Sequence, residues 1–508
     1  MLLHDLITQS ALKNEAAIAL RYAGQSLTYG GLQAGVEQFA DTLLQLDIAR
    51  GERVGIYLEK RPENVIACFG TNAAGAVFVP INPVLKTEQV THILRDCNVR
   101  ILLTSTDRLK SLGNIRASCP DLRHILLTEP TAEPDTHYWN ASTQRHGHAP
   151  YRQIDSDIAA IFYTSGSTGK PKGVVLSHRN LVVGAQSVAS YLENNAEDTL
   201  LAALPLSFDA GFSQLTTAFL SGARVVLLNY LLPRDVLTTM AKEKVTGLTA
   251  VPPLYIQLAQ QSWPPEINEH LRYFASTGGR MPAETLGALR TRLPKAKPFL
   301  MYGLTEAFRS TYLPPEEVDR RPDSIGKAIP NAEILILRED GTRCAPDEPG
   351  ELVHRGPLVA QGYWNDPEKT AERFKALPGR EAGLTLAEIA VFSGDTVRQD
   401  EEGFIYFVGR RDEMIKTSGY RVSPTEIEEA LYATRLVGEC VAFGVEHAAL
   451  GQVIHVIATP APGTPPDDAA LIAECRARLP AYMVPAQVTF QAAPLPRNPN
   501  GKLERRAK

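Results

Sequence analysis

The chain has no long apolar run. Nothing in its 508 residues approaches the stretch of about 18 apolar residues that a membrane-spanning helix needs. Its opening, MLLHDLITQS, lacks a basic segment followed by a long apolar core, so no signal peptide is expected. Cysteine is sparse and scattered: Cys68, Cys97, Cys119, Cys344, Cys440 and Cys475 form no CxxC pair. That spacing suggests neither a disulfide framework nor a thiolate metal cluster, and it reads as the reduced, mostly buried thiols of a cytoplasmic protein. Cationic charge is not in excess either. With 52 Lys and Arg against 57 Asp and Glu, the formal charge of −5 argues against a general nucleic-acid binder. Internal repeats and low-complexity tracts are absent, and no Ser-His-Asp or Cys-His arrangement stands out.

What is present in concentrated form is the run TSGSTGKPKG, Thr164 to Gly173. An apolar run, Ile158 to Tyr163, precedes it, and a helix-like run, His178 to Leu192, follows. Strand, small-residue loop and helix make the layout of a phosphate cradle: glycines admit phosphate oxygens to backbone N–H groups, hydroxyls add donors and lysines add charge. No Gly-Lys-Ser/Thr closes the run, so it is not a Walker loop.

Around this loop the chain alternates short apolar strands with helical patterns. Ile101–Thr104, Ile158–Tyr163, Arg224–Leu228 and Arg272–Ser276 read as buried strands, which gives α/β layering to much of the first 400 residues or so. Ala332–Leu337, the turn EDGT and Gly350–His354 suggest a β-rich subdomain. Phe404–Val408 is a further strand that ends at Gly409-Arg410. Beyond it the chain restarts. Ser423-Pro-Thr-Glu426 has the form of a capping box with proline at the first helical position. Strands Val441–Gly444 and Val453–Ala458 and a helix over Ala469–Leu479 follow. The expected architecture is a large N-terminal α/β domain, residues 1–410, with layered sheets, helices and the β-rich subdomain. A small C-terminal α+β domain, residues 411–508, completes it.

YTSGSTGKPKGVVLSHRN (Tyr163–Asn180) resembles the signature loop of the adenylate-forming superfamily, which includes AMP-forming acyl-CoA ligases, amino-acid adenylation domains and luciferases. MYGLTE (Met301–Glu306), SGD (Ser393–Asp395), GRRDEMIKTSGYRVSP (Gly409–Pro424) and RNPNGK (Arg497–Lys502) resemble further motifs of that superfamily, in its order. LTYGGL (Leu27–Leu32) and GAVFVPINP (Gly75–Pro83) extend the resemblance over nearly the whole chain. The resemblance implies a ligase that activates a carboxylic acid as acyl-AMP, releases pyrophosphate and passes the acyl group to a thiol. Its cofactors are then ATP, Mg²⁺ and coenzyme A, or the phosphopantetheine arm of an acyl carrier protein. The C-terminal domain becomes a lid turning about a hinge at Asp412. Both steps concentrate negative charge, so cations and oriented donors should carry the catalysis.

Residue by residue, the resemblance gives Thr164, Ser165, Gly166, Ser167, Thr168, Gly169 and Lys172 to the β- and γ-phosphates. Glu306 matches the magnesium-binding carboxylate, and Thr305 the residue contacting the α-phosphate. Tyr302 would stack on adenine beside Gly303, and Gly278 and Gly279 would let backbone approach adenine and the acyl group. Asp395 matches the acid that takes the ribose hydroxyls, with Arg410 helping to hold the ribose. Lys502 matches the catalytic lysine that bridges substrate carboxylate and α-phosphate. Lys416 to Gly419 would line the thiol tunnel once the lid has turned.

The acid pocket departs from the fatty-acid branch. In LPLSFDAGFSQL (Leu204–Leu215), Ser-Phe-Asp stands where many acyl-CoA ligases carry a histidine. Asp209 falls where amino-acid adenylation domains keep an aspartate for the substrate's amine. A buried carboxylate needs a cation, and a substrate ammonium would be one. The same pattern points Thr277, Met301, Arg309, Ser310, Ala210 and Ser213 at the acyl group. Arg309 has two readings: it takes a second carboxylate on the substrate, or it pairs with Asp209 or another acid and fixes the wall. The whole chain is most similar to acyl-CoA ligases associated with the exosortase A system of bacteria. Free-standing enzymes that load amino acids onto carrier proteins resemble it around Ser207-Phe208-Asp209. The partners implied are therefore a small carboxylic or amino acid and either coenzyme A or a carrier protein, with no nucleic acid and no membrane insertion.

Overall fold

The structure is a computed structural model that describes residues 1–130, 134–139, 149–164, 171–379, 383, 385–410, 413–417, 420–447, 451–479, 481–497 and 503. Two sheets build the large domain. In the seven-stranded one the order runs Thr136–Tyr138, His124–Leu127, Val99–Thr104, Arg53–Tyr57, Val77–Pro80, Ile158–Thr164, Lys172–Ser177. All its pairs are parallel except the last two strands, which form an antiparallel pair with Thr164 opposite Lys172. The strands' apolar runs are buried, as parallel strands covered on both faces require.

This pairing corrects the strand–loop–helix layout expected around the glycine-rich run. The strand Lys172–Ser177 intervenes, and the helix His178–Tyr191 starts only after it. Ser177 caps that helix in a reciprocal box with Asn180. The helix N-terminus therefore stands a full strand beyond Lys172.

The second sheet has 14 strands. From Ile18–Tyr22 through Arg224–Leu227, Thr199–Ala202, Gly247–Ala250, Tyr273–Ser276 and Lys297–Tyr302 it is parallel. It then turns antiparallel through Thr311–Leu313, Ser324–Ala328, Ile405–Arg410, Ile389–Gln399, Gly350–Arg355 and Glu333–Leu337. The β-rich region is thus a continuation of the large sheet. Thr311–Leu313 and Ser324–Ala328 are the link, and both are too short to stand out in the sequence.

A cluster of phenylalanines joins the first sheet to the helix Asp209–Ser221. Phe212 lies 5.0 Å from Phe78 and 5.7 Å from both Phe69 and Phe162, centroid to centroid. Aromatic pairs at these spacings add to the area they bury. They anchor the helix one turn after Asp209. Gly211 lets the start of the helix lie against the chain that leads into it, because a Cβ there would stand 1.8 Å from the Pro205 carbonyl oxygen.

The small C-terminal domain has its own five-stranded sheet, centred on the antiparallel pair Val437–His447 and Gly451–Pro460. The helices Pro424–Ala433 and Asp468–Arg478 belong to it, and Ile427, Leu431, Val456 and Leu471 form its separate core. Ser423 does occupy the N-cap position, but its hydroxyl caps nothing and has no partner among the described residues. The side chain is buried against Gly409 instead, so packing on the strand Ile405–Arg410 overrides the capping box that the sequence suggests.

Two buried imidazoles make the fold acid-sensitive. The Leu3 N–H donates to His178 Nδ1 at 3.1 Å, and His354 Nδ1 lies 2.9 Å from Ser310 Oγ. Burial pushes each pKa down to about 4. Between the unfolded value, about 6.5, and about 4, the unfolded chain therefore binds more protons than the folded one. Stability should be full above about pH 6.5 and fall as pH drops through that window, by about 3 kcal/mol per imidazole. Urea titrations across the window would read the loss. A double His178→Gln, His354→Gln variant, if it folds, should flatten it.

Candidate active site

One continuous segment, from the end of the strand Lys297–Tyr302 to Arg309, supplies side chains to three groups. The first lies on the phosphate side. Glu306 sits on the 3₁₀ turn Thr305–Ala307 and accepts a hydrogen bond from the Tyr363 hydroxyl at 2.6 Å. Tyr363 is fixed by its backbone. Val175 N–H donates to Gly362 O at 3.0 Å and Trp364 N–H to Gly173 O at 2.7 Å, lacing this segment to the strand Lys172–Ser177. Lys172 Nζ stands 5.6 Å from the Tyr363 ring centroid. Burial and the Glu306 charge push the Tyr363 pKa up, so the phenol stays a donor. Glu306 Oε2 takes no hydrogen bond among the described residues. A half-buried carboxylate with one oxygen engaged and one available fits a Mg²⁺ that keeps its remaining ligands as water and phosphate. Thr305 is buried one residue earlier, and Thr164 ends its strand opposite Lys172.

The second group would hold a nucleoside. Asp395 faces Arg410 in the antiparallel register, with Arg410 Nε 3.1 Å from Asp395 Oδ1. The Tyr302 hydroxyl donates to Asp395 Oδ2, and burial followed by the Asp395 charge pushes the phenol pKa well up. The carboxylate is thus held from two sides, and the Tyr302 ring is oriented by its own hydroxyl. Gly303 follows, close enough that a Cβ there would lie 3.1 Å from Arg309 Cα. Gly278 and Gly279 are exposed at the end of the strand Tyr273–Ser276, with Gly278 at φ +77°.

The third group surrounds a small chamber of about 10 Å³, lined by Ala210, Ser213, Gln214, Met301 and Arg309 among others. Arg309 is aimed by an unusual turn. Phe308 takes φ +58°, and Arg309 N–H donates to Ala307 O at 2.6 Å, which makes a γ-turn. That conformation is strained for a side chain larger than glycine's. The Phe308 ring is held where Gly184 leaves room, since a Cβ at Gly184 would lie 2.4 Å from it. Arg309 is buried and donates from Nη1 to Thr277 Oγ1 at 2.7 Å. Among the described residues it makes no ion pair, so the reading in which it pairs with Asp209 is not realised. Asp209 is 4% exposed. Burial pushes its pKa up, the Arg309 cation and the Ala210 N–H oppose that, and the Glu306 charge adds to it.

Several expected residues fall outside the described ones: Ser165, Gly166, Ser167, Thr168, Gly169, Asp412, Gly419 and Lys502. Lys416 is described only as backbone, in the strand Ile415–Thr417. The residues brought together are Thr164 with Lys172, Glu306 beside them, Tyr302 with Asp395 and Arg410, and Thr277 with Arg309. Tyr363 and Gln214 were missed. Neither carries a signal of its own: one is a tyrosine in a loop, the other a glutamine inside a helix.

The sequence matches the family described as AMP-binding enzyme over residues 7–364 and the AMP-binding enzyme C-terminal domain over residues 426–502. It is 32% identical, over 99% of its length, to a linear gramicidin synthase of Brevibacillus parabrevis, of which it spans 6%. It is 30% identical to a feruloyl-CoA synthase of Amycolatopsis sp, covering 96% of this chain and 94% of that one. Among solved structures, O-succinylbenzoate coenzyme A synthetase from Bacillus subtilis, in complex with ATP and magnesium ion, matches with a TM-score of 0.83, 28% identity and 98% of each chain covered.

Proposed function

The chain belongs to the AMP-binding enzyme family, and we propose that it joins a carboxylic acid to a thiol in two steps driven by ATP. The observation that carries this is the segment from Tyr302 to Arg309, which reaches the nucleoside group through Tyr302, the phosphate group through Glu306 and the acid chamber through Arg309. In the first step a substrate carboxylate oxygen bonds to the α-phosphorus of ATP, and the bond to the bridging oxygen breaks to release pyrophosphate. In the second, a thiol sulfur bonds to the acyl carbon and AMP leaves. Asp395, with Arg410, holds the ribose hydroxyls. Thr164, Lys172 and the loop residues Ser165 to Gly169 hold the outer phosphates, Thr305 contacts the α-phosphate, and Lys502 bridges the two reacting anions. A magnesium ion on Glu306 would neutralise phosphate charge as pyrophosphate leaves.

Gly278 and Gly279 border the acyl and adenine sites. Residues 1–410 form the nucleotide domain and 411–508 the lid, hinged at Asp412, with Lys416 and Gly419 along the thiol path. The acceptor is coenzyme A, as the names of the feruloyl-CoA and O-succinylbenzoate relatives suggest. We place the enzyme in the cytoplasm, consistent with the absence of any helix long and apolar enough to cross a membrane among the described residues. On motif resemblance we also propose the exosortase-associated branch. One observation favours a second acceptor: Asp209 is buried without a protein cation on it among the described residues, and an amino-acid substrate would bring one. An amino-acid ligase of this kind, like the gramicidin synthase relative, would load a carrier protein.

ATP–pyrophosphate exchange that depends on an added carboxylic acid, followed by thioester formation with coenzyme A, is the expected result. Exchange without CoA thioester, but with acylation of a phosphopantetheinylated carrier, would select the second acceptor. Absence of exchange across amino acids, dicarboxylates, aromatic acids and fatty acids would sink the activation step.

A further inference from the structure

The helix Thr87–Asp96 supplies no side chain to the three groups above, yet it meets the chain on both sides of the glycine-rich run. On the entering side, the Tyr163 hydroxyl donates to Asp96 Oδ2 at 2.5 Å, one residue before Thr164. Burial, then the neighbouring Cys97 and Asp96, push the phenol pKa up, so Tyr163 stays the donor. On the leaving side, His92 Nε2 lies 3.2 Å from the Pro171 carbonyl oxygen, one residue before Lys172. A carbonyl only accepts, so that ring nitrogen carries the proton. His92 and Asp96 are four residues apart and share one face of the helix. The Tyr163 ring lies across Gly173, where a Cβ would stand 3.1 Å from its Cζ. The helix end is tied down in turn. The Asp96 carbonyl accepts from Trp364 Nε1 at 3.0 Å and from Asn365 Nδ2 at 2.6 Å. Those two residues follow Tyr363, which donates to Glu306. Asp96 thus joins the strand that ends at Thr164 to the segment that holds Glu306. It does so against local preference. Asp96 is the last residue of its helix, where a carboxylate opposes the dipole. The lysine or arginine favoured at such a position could not accept from Tyr163.

We propose that Asp96 is a positioning residue for the outer phosphates of ATP: its carboxylate holds Tyr163 and its carbonyl holds Trp364 and Asn365, which fixes Thr164 and Lys172 in place relative to Glu306. This rests on the activation reading above and deepens it. Asp96 acts through Tyr163 and Trp364 rather than on the nucleotide itself. Two elements that must meet one triphosphate gain from being fixed to each other beforehand, because the ordering is then not charged to binding. AMP has no outer phosphates, so its binding draws on the nucleoside group and gains nothing from this brace.

The test is calorimetric titration of the full chain with α,β-methylene ATP and, separately, with AMP. Asp96→Ala keeps the backbone carbonyl and removes the acceptor, and Tyr163→Phe keeps the ring and removes the donor. Each should weaken binding of the ATP analogue by about tenfold, the worth of a hydrogen bond to a charged group. AMP binding should stay within about twofold of the parent. The double variant should lose no more than either single one, since both remove the same bond. Asp96→Asn, which keeps an acceptor, should stay within about threefold of the parent. The ratio of the two affinities is read within one protein, and a misfolded fraction lowers the number of sites without changing it. Equal weakening of AMP and the ATP analogue overturns the proposal, because it marks general damage to the pocket. Unchanged binding of the analogue in both single variants overturns it as well, and so does an additive loss in the double variant. A parent chain that binds ATP but exchanges pyrophosphate with no acid of any class sinks the activation reading and leaves the positioning of the phosphates standing. Binding of neither nucleotide removes both.

Discussion

Replacing Lys502 with alanine is expected to slow acyl-adenylate formation by about a thousandfold. It should leave thioester formation from a supplied acyl-adenylate within about twofold of the parent enzyme. The size follows from what the first step of the proposed reaction asks of the protein. Two anions, a carboxylate and a triphosphate, must approach to bonding distance. A cation between them acts in a site with little water, where one oriented donor is worth about a hundredfold to a thousandfold. The second step has a different demand. Its electrophile is already a mixed anhydride, and the repulsion between carboxylate and α-phosphate has gone. The two half-reactions can be measured apart: exchange for the first, AMP release from synthetic acyl-adenylate and thiol for the second. An equal loss in both would contradict the role given to Lys502, and a full-rate exchange in the variant would make the lysine one more solvated residue of a basic tail. Lys502→Arg should recover part of the first step only, since a planar guanidinium does not reproduce a point charge between two anions.

The parts of this site that the sequence announced are those in which the residue type alone carries the chemistry. Asp395, Glu306, Lys172 and Arg410 are charges in short, dense motifs, and the structure brings Glu306 beside the Lys172 strand and Asp395 against Arg410. What stayed hidden depends on long-range packing. Gly211 looks like any helix glycine until the Pro205 carbonyl is seen 1.8 Å from where its Cβ would be. Phe308 reads as a core residue, and nothing local reveals that it turns the chain at φ +58° to aim Arg309. Ser423 satisfies every local rule for a cap and still does not cap, because burial against Gly409 decides its rotamer. The glycine-rich run stands out in the sequence while its setting does not. The strand Lys172–Ser177 has the same apolar character as the start of a helix, and only its pairing with Ile158–Thr164 distinguishes the two.

The second large effect is expected at Asp209. Asp209→Ala should reduce kcat/KM for an amino-acid substrate by the cost of leaving a buried ammonium unpaired, about 3–5 kcal/mol, while sparing the same acid without its amine. The position of the existing cation decides this. Arg309 is close enough to oppose the upward shift of the Asp209 pKa, yet it is bonded to Thr277 and makes no ion pair with Asp209. A buried carboxylate in this state is poorly satisfied, and its proton affinity is raised by burial. An ammonium docking against it would reverse that shift, so amino-acid affinity should rise with pH across the titration of Asp209 and then level off. A desamino acid brings no cation, and its affinity should be flat or fall over the same range. Asp209→Asn separates charge from shape. It keeps the side-chain volume and an acceptor for the Ala210 N–H, so a loss equal to that of alanine assigns the effect to charge. If both variants activate amino acids as the parent does, Asp209 is a wall residue in the first turn of its own helix, and the cation-binding reading fails.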